Sequence, residues 1–345
     1  MVFALYFLAR GIKRHSNFSF ALCGVFMGLG LQMYYASRML LVLVPLFVAW
    51  RWLVEGKRAR AWLPGLLLVI LGFLLAFGPM LLYVAQTPDA LIGRSRLVSL
   101  LNPEVMVHLR GKYGVNSTLD VLREQTKRSL LMFHLYGDNS SHFGLQRPLV
   151  DPLAAALLTL GLGYALLRPR HAGNFLLASW LLVTIVLGSM LTNDPPYWPH
   201  LVGILLPAAA LAALALDRMW AEAEGVFGQG GHVVFALLAV VTLLAVGTSN
   251  WQLYYDYARD TARPRTRIGR YLAALPVETQ AFIVEDPFHS HDREIRFLVG
   301  ERPVAEVSEE ALQAGNLPTL SGPAVFIITP NHAAVLEVLQ RAYPG

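Results

Sequence analysis

The stretch that decides the fold of this chain is Gly28-Leu29-Gly30-Leu31-Gln32-Met33-Tyr34-Tyr35-Ala36-Ser37-Arg38, which continues through Met39-Leu40-Leu41-Val42-Leu43-Val44 to Pro45. A glycine-notched apolar run reaches a tyrosine pair and one arginine, and a second apolar run follows at once. Arg38 is the only Lys, Arg, Asp or Glu between His15 and Arg51. A charge flanked so closely by hydrocarbon-compatible sequence is costly in lipid, so we expect Arg38 to face water, a lipid headgroup or a protein cavity.

The composition around this stretch indicates a membrane domain followed by a water-facing domain. The 345 residues are 55% hydrophobic and only 15% charged, against roughly 25% charged residues in soluble proteins. Uncharged apolar stretches of about 17–23 residues, long enough to cross a bilayer core, recur before residue 250. We therefore predict a mainly α fold, with a polytopic helical membrane domain at residues 1–250 and a small α/β domain at residues 251–345. The net charge of +5 comes without a basic cluster interleaved with aromatics, so we expect no nucleic-acid partner.

The apolar stretches predict about seven full spans and an N-terminal stub. The stub, Val2–Ala9, is too short to cross a bilayer and is expected to be the tail of a helix. This leads us to expect that the chain is the C-terminal part of a longer protein. The predicted spans are Phe18–Tyr35, Met39–Val54, Leu63–Ala85, Pro148–Leu167, Phe175–Leu191, Leu201–Leu216 and Val233–Asn250.

The basic residues of the short loops predict the orientation of these spans. Arg38 is the one basic residue in the short loops of one side. The other side carries ten: Arg10, Lys13, Arg14, Arg51, Lys57, Arg58, Arg60, Arg168, Arg170 and Arg218. Since cytoplasmic loops are enriched in Lys and Arg, the second set is predicted to be cytoplasmic. The Tyr34–Arg38 turn, the loop 86–147, the Asn193–His200 turn and the C-terminal domain are then extracytoplasmic.

The loop 86–147 contains a predicted helix. Ser117-Thr118-Leu119-Asp120 fits a capping box. One face of the helix would be apolar, with its basic residues elsewhere; that face comprises Leu119, Leu122, Leu130 and Phe133. Such a helix lies on the outer leaflet or closes over the membrane domain, and a solvated connector helix is an equal alternative.

The C-terminal domain shows strands alternating with helices, at Ile268–Leu275, Gln280–Val284, Glu309–Ala314, Ala324–Thr329 and Ala333–Arg341. His289, His291 and Asp292 contain metal-ligating types, but their spacing matches no standard site, so a polar loop is favoured. Cys23 is the single cysteine, which excludes a disulfide framework. We predict no metal site and no cofactor.

The candidate binding residues are outward-facing groups near the membrane. One set is Tyr34, Tyr35 and Arg38; the others are the loop residues Arg94, Arg96, His108, Arg110 and Lys112, the turn residues Asp194, Tyr197 and His200, and the pair Arg147 and Asp151. Guanidinium groups form planar forks that match phosphate, so these arginines would suit a lipid-linked phosphate. The alternative for each arginine is bulk lipid phosphate, and the alternative for Asp151 is stabilisation of a helix N-terminus. No outward loop next to a full span carries a close acidic pair, so no general base is indicated.

Several of these segments together resemble the bacterial glycosyltransferase family 39 type, which is related to protein O-mannosyltransferases and lipid A aminoarabinose transferases. The similar segments are the opening Gly28–Arg38 stretch with Pro45, Arg147–Leu153, Pro199–Pro207, Ile268–Pro276 and Ile327–Pro330. The resemblance covers nearly the whole chain, although each motif is short. His200 stands where the family usually has arginine, which weakens a phosphate role there because imidazole is largely neutral at pH 7.

The resemblance implies a GT-C fold in the bacterial plasma membrane. It implies transfer of a sugar from a polyprenyl-phosphate carrier to a glycan, lipid or protein acceptor on the outer face. Tyr34, Tyr35 and Arg38 would line the cavity beside the carrier phosphate, with Arg147 and His200 as weaker candidates. The family's catalytic aspartate would lie upstream of Met1, so no catalytic residue is assigned. The alternatives are a non-catalytic membrane binding or scaffold protein, a remnant, and a transporter; the last would need broken helices and charged midplane residues in paired halves.

Overall fold

The computed structural model describes residues 1–87, 89–138, 147–193, 195–260, 264–285, 288–329 and 332–343. Two residues named above, Asp194 and Pro330, lie outside these ranges. The chain divides into two compact units, Met1–Asn250 and Trp251–Gly345. Each unit has its own packing.

The first unit is mainly helical in its described residues. In the described residues, 3-10 segments at Tyr35–Met39, Gly56–Ala61 and Trp198–Ile204 and a π-helical turn at Val186–Met190 connect or end longer helices. The α-helices are α1 Val2–Arg14, α2 Asn17–Met33, α3 Leu40–Glu55, α4 Leu63–Gln86, α5 Asp89–Val98, α6 Pro103–Tyr113, α7 Thr118–Leu130, α8 Pro152–Leu167, α9 Ala172–Ile185 and α10 Leu205–Asp260. The predicted stub is part of α1.

Within the described ranges, four helical segments are long and apolar enough to cross a membrane: Ala36–Ala61, Leu63–Gln86, Ala172–Met190 and Trp198–Asp256. The seven-span count is therefore not confirmed. Two of the predicted spans correspond to α2 and α8, which are apolar but shorter. Two more lie within the segment Trp198–Asp256, most of which is α10. Helix α10 continues through a kink at Gly228, where φ is 60°.

Glycines bring α2 and α4 into backbone contact. A Cβ atom at Gly24 would overlap the carbonyl oxygen of Val69, and one at Gly72 would overlap that of Ala21. Small residues are what allow helices to approach this closely in membranes, where the hydrophobic effect does not drive helix association. The glycine notches before the Tyr34–Arg38 turn thus place α2 directly on α4.

Helices α3 and α9 run in opposite directions and sort their loops to two ends of the unit. Near the start of α3, Met39 lies against Gly188 at the end of α9. Near the end of α3, Arg51 lines an open cleft of about 670 Å³ with Lys13, Arg58 and Ala172, the first residue of α9. This grouping agrees with the sorting expected from the basic residues. The assignment of one end to the cytoplasm stays a prediction.

The second unit contains a three-stranded parallel sheet with the strand order β2-β1-β3. Its elements are α11 Pro264–Ala274, β1 Gln280–Val284, α12 Arg293–Val299, β2 Val304–Val307, α13 Glu309–Gln313, β3 Ala324–Ile327 and α14 Ala333–Ala342. Leu272, Ile283 and Ile295 form one buried cluster, and Val284, Leu312 and Val335 belong to a second. The small α/β domain expected at the C-terminus is confirmed. Its strand β2 and helix α12 were not expected from the sequence.

Candidate functional site

The Tyr34–Arg38 turn is joined to the Trp198–Ile204 turn. Tyr34 ends α2 in an extended conformation, with φ −155° and ψ 141°. The chain then reverses through the single 3-10 turn Tyr35–Met39 into α3. The Tyr34 hydroxyl donates a hydrogen bond to the carbonyl oxygen of Pro199 over 2.7 Å. We call Tyr34–Met39 and Tyr197–Ile204 together the joined turns.

Arg38 lies half-buried within the joined turns, next to the buried Ser37. A wholly exposed arginine on a membrane surface would meet bulk headgroups, whereas a half-buried guanidinium presents its fork from a defined position. The backbone of Tyr35 belongs to the same turn, and its side chain is outside the described part of the chain. Of the predicted set, Tyr34 and Arg38 therefore define the geometry of this turn.

His200 belongs to the second of the joined turns, and the carboxylate of Asp138, which was not expected at the site, contacts that turn. The rings of His200 and Tyr197 meet edge to face, with 4.6 Å between their centroids. Asp138 is only 1% exposed, and its Oδ2 accepts a hydrogen bond from the Trp198 backbone N–H over 2.9 Å. In the sequence Asp138 is an isolated acid in a long loop. Its position follows from the fold, because a buried carboxylate requires donors and the start of a helical turn supplies free N–H groups.

The π-helical turn after α9 forms the third wall of this end of the unit. A Cβ atom at Gly188 would lie 2.9 Å from the carbonyl oxygen of His200 and 3.0 Å from Cε of Met39. Both separations are below ordinary van der Waals contact. The absence of a side chain at Gly188 therefore lets the π-helical turn contact both joined turns.

Helix α7 packs on the same end of the unit through polar groups. Gln125 is fully buried, and its Nε2 donates to the carbonyl oxygen of Thr192 over 3.0 Å. The buried hydroxyls of Ser129 and Ser189 lie 2.8 Å apart. Ser117 caps the helix by accepting from the Asp120 N–H, as the capping box predicts. Helix α7 thus closes over this end of the helical unit.

The face by which α7 packs differs from the one that we expected. Leu119 is 74%, Leu130 is 50% and Leu122 is 36% exposed. Of the predicted apolar face, only Phe133 is buried. The buried positions are Val121, Gln125 and Ser129. The Thr192 carbonyl, just after the π-helical turn, needs a donor, and Gln125 supplies one where a leucine could not.

A basic cleft of about 750 Å³ opens between α6 and α7. Four cations and two carboxylates line it, together with Tyr113 and Val115: Lys112, Arg123, Lys127, Arg128, Asp120 and Glu124. The Arg128 guanidinium lies 4.9 Å from the ring of Tyr113 and 3.0 Å from Glu124. Contact with the Tyr136 hydroxyl, and then the charge of Glu124, raise the pKa of Lys127. The cleft therefore remains cationic at neutral pH.

The other predicted residues occupy separate positions. Arg147 is exposed and, in the described ranges, makes no hydrogen bond or ion pair with the joined turns. Asp151 caps α8 by accepting from the N–H groups of Leu153 and Ala154, each over 3.0 Å. Arg110 donates to the Thr118 hydroxyl over 2.8 Å and so braces the α6–α7 connection. Asp151 has the helix-stabilising role given above as its alternative.

The site combines a half-buried guanidinium, an aromatic hydroxyl and an imidazole at one end of apolar helices, under a helix that carries further cations. Such an arrangement can bind an anionic group attached to an apolar chain. No protein-family model, curated protein or solved structure significantly matches this chain.

Proposed function

We propose that this chain takes part in the transfer of a sugar from a polyprenyl-phosphate carrier to an acceptor on the outer face of the bacterial plasma membrane. The joined turns bind the carrier phosphate. The apolar helices cross the membrane about seven times in a GT-C arrangement, with the shorter helices α2 and α8 and both halves of α10 among the crossings. In this arrangement the second unit is extracytoplasmic.

The observation that carries the proposal is the Tyr34–Pro199 hydrogen bond, which connects two turns that are 165 residues apart. It holds the half-buried Arg38 near the starts of α3 and α10 and the end of α9, beside their apolar surfaces. A polyprenyl-phosphate has the matching chemistry, a charged head that prefers a guanidinium fork and a chain that prefers lipid. Soluble nucleotide sugars offer the charge without the apolar chain.

The residues of the joined turns divide the work between binding and positioning. The hydroxyl of Tyr34 has one hydrogen, which it donates to Pro199, so Tyr34 positions the turns and leaves the phosphate to Arg38. Asp138 accepts a backbone hydrogen bond at the start of the second turn, which makes it a positioning residue. The general base is not assigned to any residue of this chain.

The test is binding of polyprenyl-phosphate to the purified chain in lipid nanodiscs. We expect Arg38→Gln to weaken binding about 10–100-fold, because hydrogen bonds to charged groups contribute about 1.5–3 kcal/mol. Arg38→Lys should retain part of the affinity, and the matched control Arg60→Gln, an exposed arginine in the Gly56–Ala61 turn, should retain all of it. The uncharged polyprenol should bind weakly to every variant.

Equal affinity for the phosphate and the alcohol, or equal losses in Arg38→Gln and Arg60→Gln, would overturn the proposal. A second measurement offers the carrier loaded with sugar and follows its release. Binding that depends on Arg38 without any release would show that this chain binds the carrier and does not complete the transfer by itself.

A further inference from the structure

Two histidines and a glutamate come together at one edge of the sheet in the second unit. His289 and His291 lie in the loop that follows β1, and Glu306 lies in β2, its neighbour in the sheet. The loop begins where β1 ends, and Glu306 is the second-last residue of β2. In open parallel sheets, ligands bind outside the carboxyl ends of the strands. The cluster therefore lies at the carboxyl ends of β1 and β2.

The nitrogen and oxygen atoms of the cluster are within reach of one common ion. His291 Nδ1 lies 3.2 Å from Glu306 Oε1, and His289 Nδ1 lies 3.7 Å from Glu306 Oε2. All three potential ligand atoms lie within 4.8 Å of one another. When two ligand atoms each lie about 2.0–2.2 Å from a tetrahedral ion, the distance between them is similar to these separations. Small side-chain rotations would thus bring the three groups onto one ion.

One imidazole nitrogen of the cluster has an unmet requirement. Nδ1 of His289 is buried and finds no hydrogen-bond partner among the described residues. A buried polar atom without a partner is costly, and an ion between this nitrogen and Glu306 would satisfy it. The unpaired Nδ1 of His289 and the distances within the cluster therefore both favour an ion at this place.

The surrounding residues hold the carboxylate and the loop in place. The N–H and hydroxyl of Ser290 donate to Oε1 of Glu306, and these hydrogen bonds lower the pKa of Glu306 to about 2. Asp292 accepts from the His289 N–H and from Nε of Arg265, over 3.2 and 2.8 Å. Asp292 therefore braces the loop, whereas Glu306 supplies the oxygen near the histidines. Such outer partners orient metal ligands.

We propose that His289, His291 and Glu306 bind a divalent first-row transition metal of the Zn²⁺ type. Two imidazoles and one carboxylate are a ligand set that Zn²⁺ accepts, with a further position left for water or a substrate group. The His291 side chain is 72% exposed and that of His289 is 39% exposed, so the ion would be open to solvent. The His332–Glu309 pair of the same unit has a single imidazole and serves as an internal comparison.

The test is Zn²⁺ binding to the full chain in detergent after removal of metals with a chelator. We expect one tight equivalent by titration calorimetry, and a visible absorption spectrum of a nitrogen- and oxygen-ligated ion when Co²⁺ replaces Zn²⁺. Loss of an outer-shell partner alone costs about 10–100-fold in metal affinity. His289→Ala and Glu306→Gln, which remove ligands, should therefore weaken binding at least about 100-fold.

His332→Ala is the matched control and should bind Zn²⁺ like the parent protein. His291→Ala is a further variant, because its exposed side chain leaves the fold intact if Glu306→Gln fails to fold. Failure of the parent protein to bind Zn²⁺ would overturn the proposal. Equal affinity in His291→Ala and His332→Ala would also overturn it. Binding of the carrier phosphate at the joined turns is independent of either outcome.

Discussion

The two units of this protein bring their segments together by different means. In Met1–Asn250, glycines allow backbone to meet backbone, as where α2 crosses α4 at Gly24 and Gly72. In Trp251–Gly345, apolar side chains such as Ile283 and Ile295 form the contacts, and charged groups are gathered at the sheet edge. Lipid does not drive helices together, so close packing must do so, whereas water drives the apolar residues of a small α/β domain together.

The largest effect should come from breaking the glycine contact. In Gly24→Val, the new side chain would overlap the Val69 carbonyl, so α2 and α4 must separate. Overpacking costs typically about 1–3 kcal/mol and occasionally more, and here backbone atoms obstruct the side chain, so we expect a loss at or above that range. Thermal unfolding in detergent, followed by circular dichroism, measures it.

The matched control for this change is Gly163→Ala in α8, where a Cβ would meet no atom within 4 Å. It should leave the melting temperature unchanged or raise it slightly, because alanine favours the helix. Similar melting temperatures for Gly24→Val and Gly163→Ala would contradict backbone contact as the basis of the first unit.

A smaller effect should follow from removing the buried carboxylate at the joined turns. Asp138→Ala leaves the Trp198 N–H without its acceptor, and an unsatisfied donor costs about 1–3 kcal/mol. Hydrogen exchange at the Trp198 amide should accelerate, while that within α2 and α4 stays slow. Asp89→Ala, which removes an exposed carboxylate, is the control and should change neither. Unchanged exchange in Asp138→Ala would rule out a positioning role.

The smallest effect should come from the second unit. The Arg265 and Asp292 side chains are 27% and 21% exposed in their ion pair, and pairs near the surface contribute roughly 0–1 kcal/mol. Arg265→Ala should therefore accelerate hydrogen exchange in the β1–α12 loop slightly and leave the first unit unaffected. The control is Arg341→Ala, which removes the ion-pair partner of Glu337; the Arg341 side chain is 82% exposed. If Arg265→Ala destabilised the protein as much as Gly24→Val does, the contrast between the two units would be contradicted.

Elements that repeat one pattern over many residues were predictable. The apolar runs predicted α3 and α4 closely, and β1 was expected at the residues where it occurs, Gln280–Val284. Strand β2 was missed because Glu306 interrupts a run of only four residues. The packing face of α7 was wrong because hydrophobicity alone ranked Leu119 above Gln125, although unpaired carbonyl groups select the glutamine.

The candidate sites were only half predictable for a similar reason. Arg38 and Tyr34 stand out because each lies beside apolar sequence. Asp138 and Glu306 look like ordinary surface acids until the chain folds, since their partners are 60 and 15–16 residues away. His289 and His291 are two residues apart in the sequence, but their spacing alone supplies no third ligand.

The sequence by itself determined that apolar helices of membrane-spanning length precede a small α/β domain, and that one arginine lies between two apolar runs. These features are local, because hydrophobic length and periodicity depend on neighbouring residues. Only the tertiary structure decided that Tyr34 meets Pro199, that Asp138 supports the joined turns and that Glu306 meets two histidines. Such meetings depend on which distant backbone groups need a partner once helices and strands have packed.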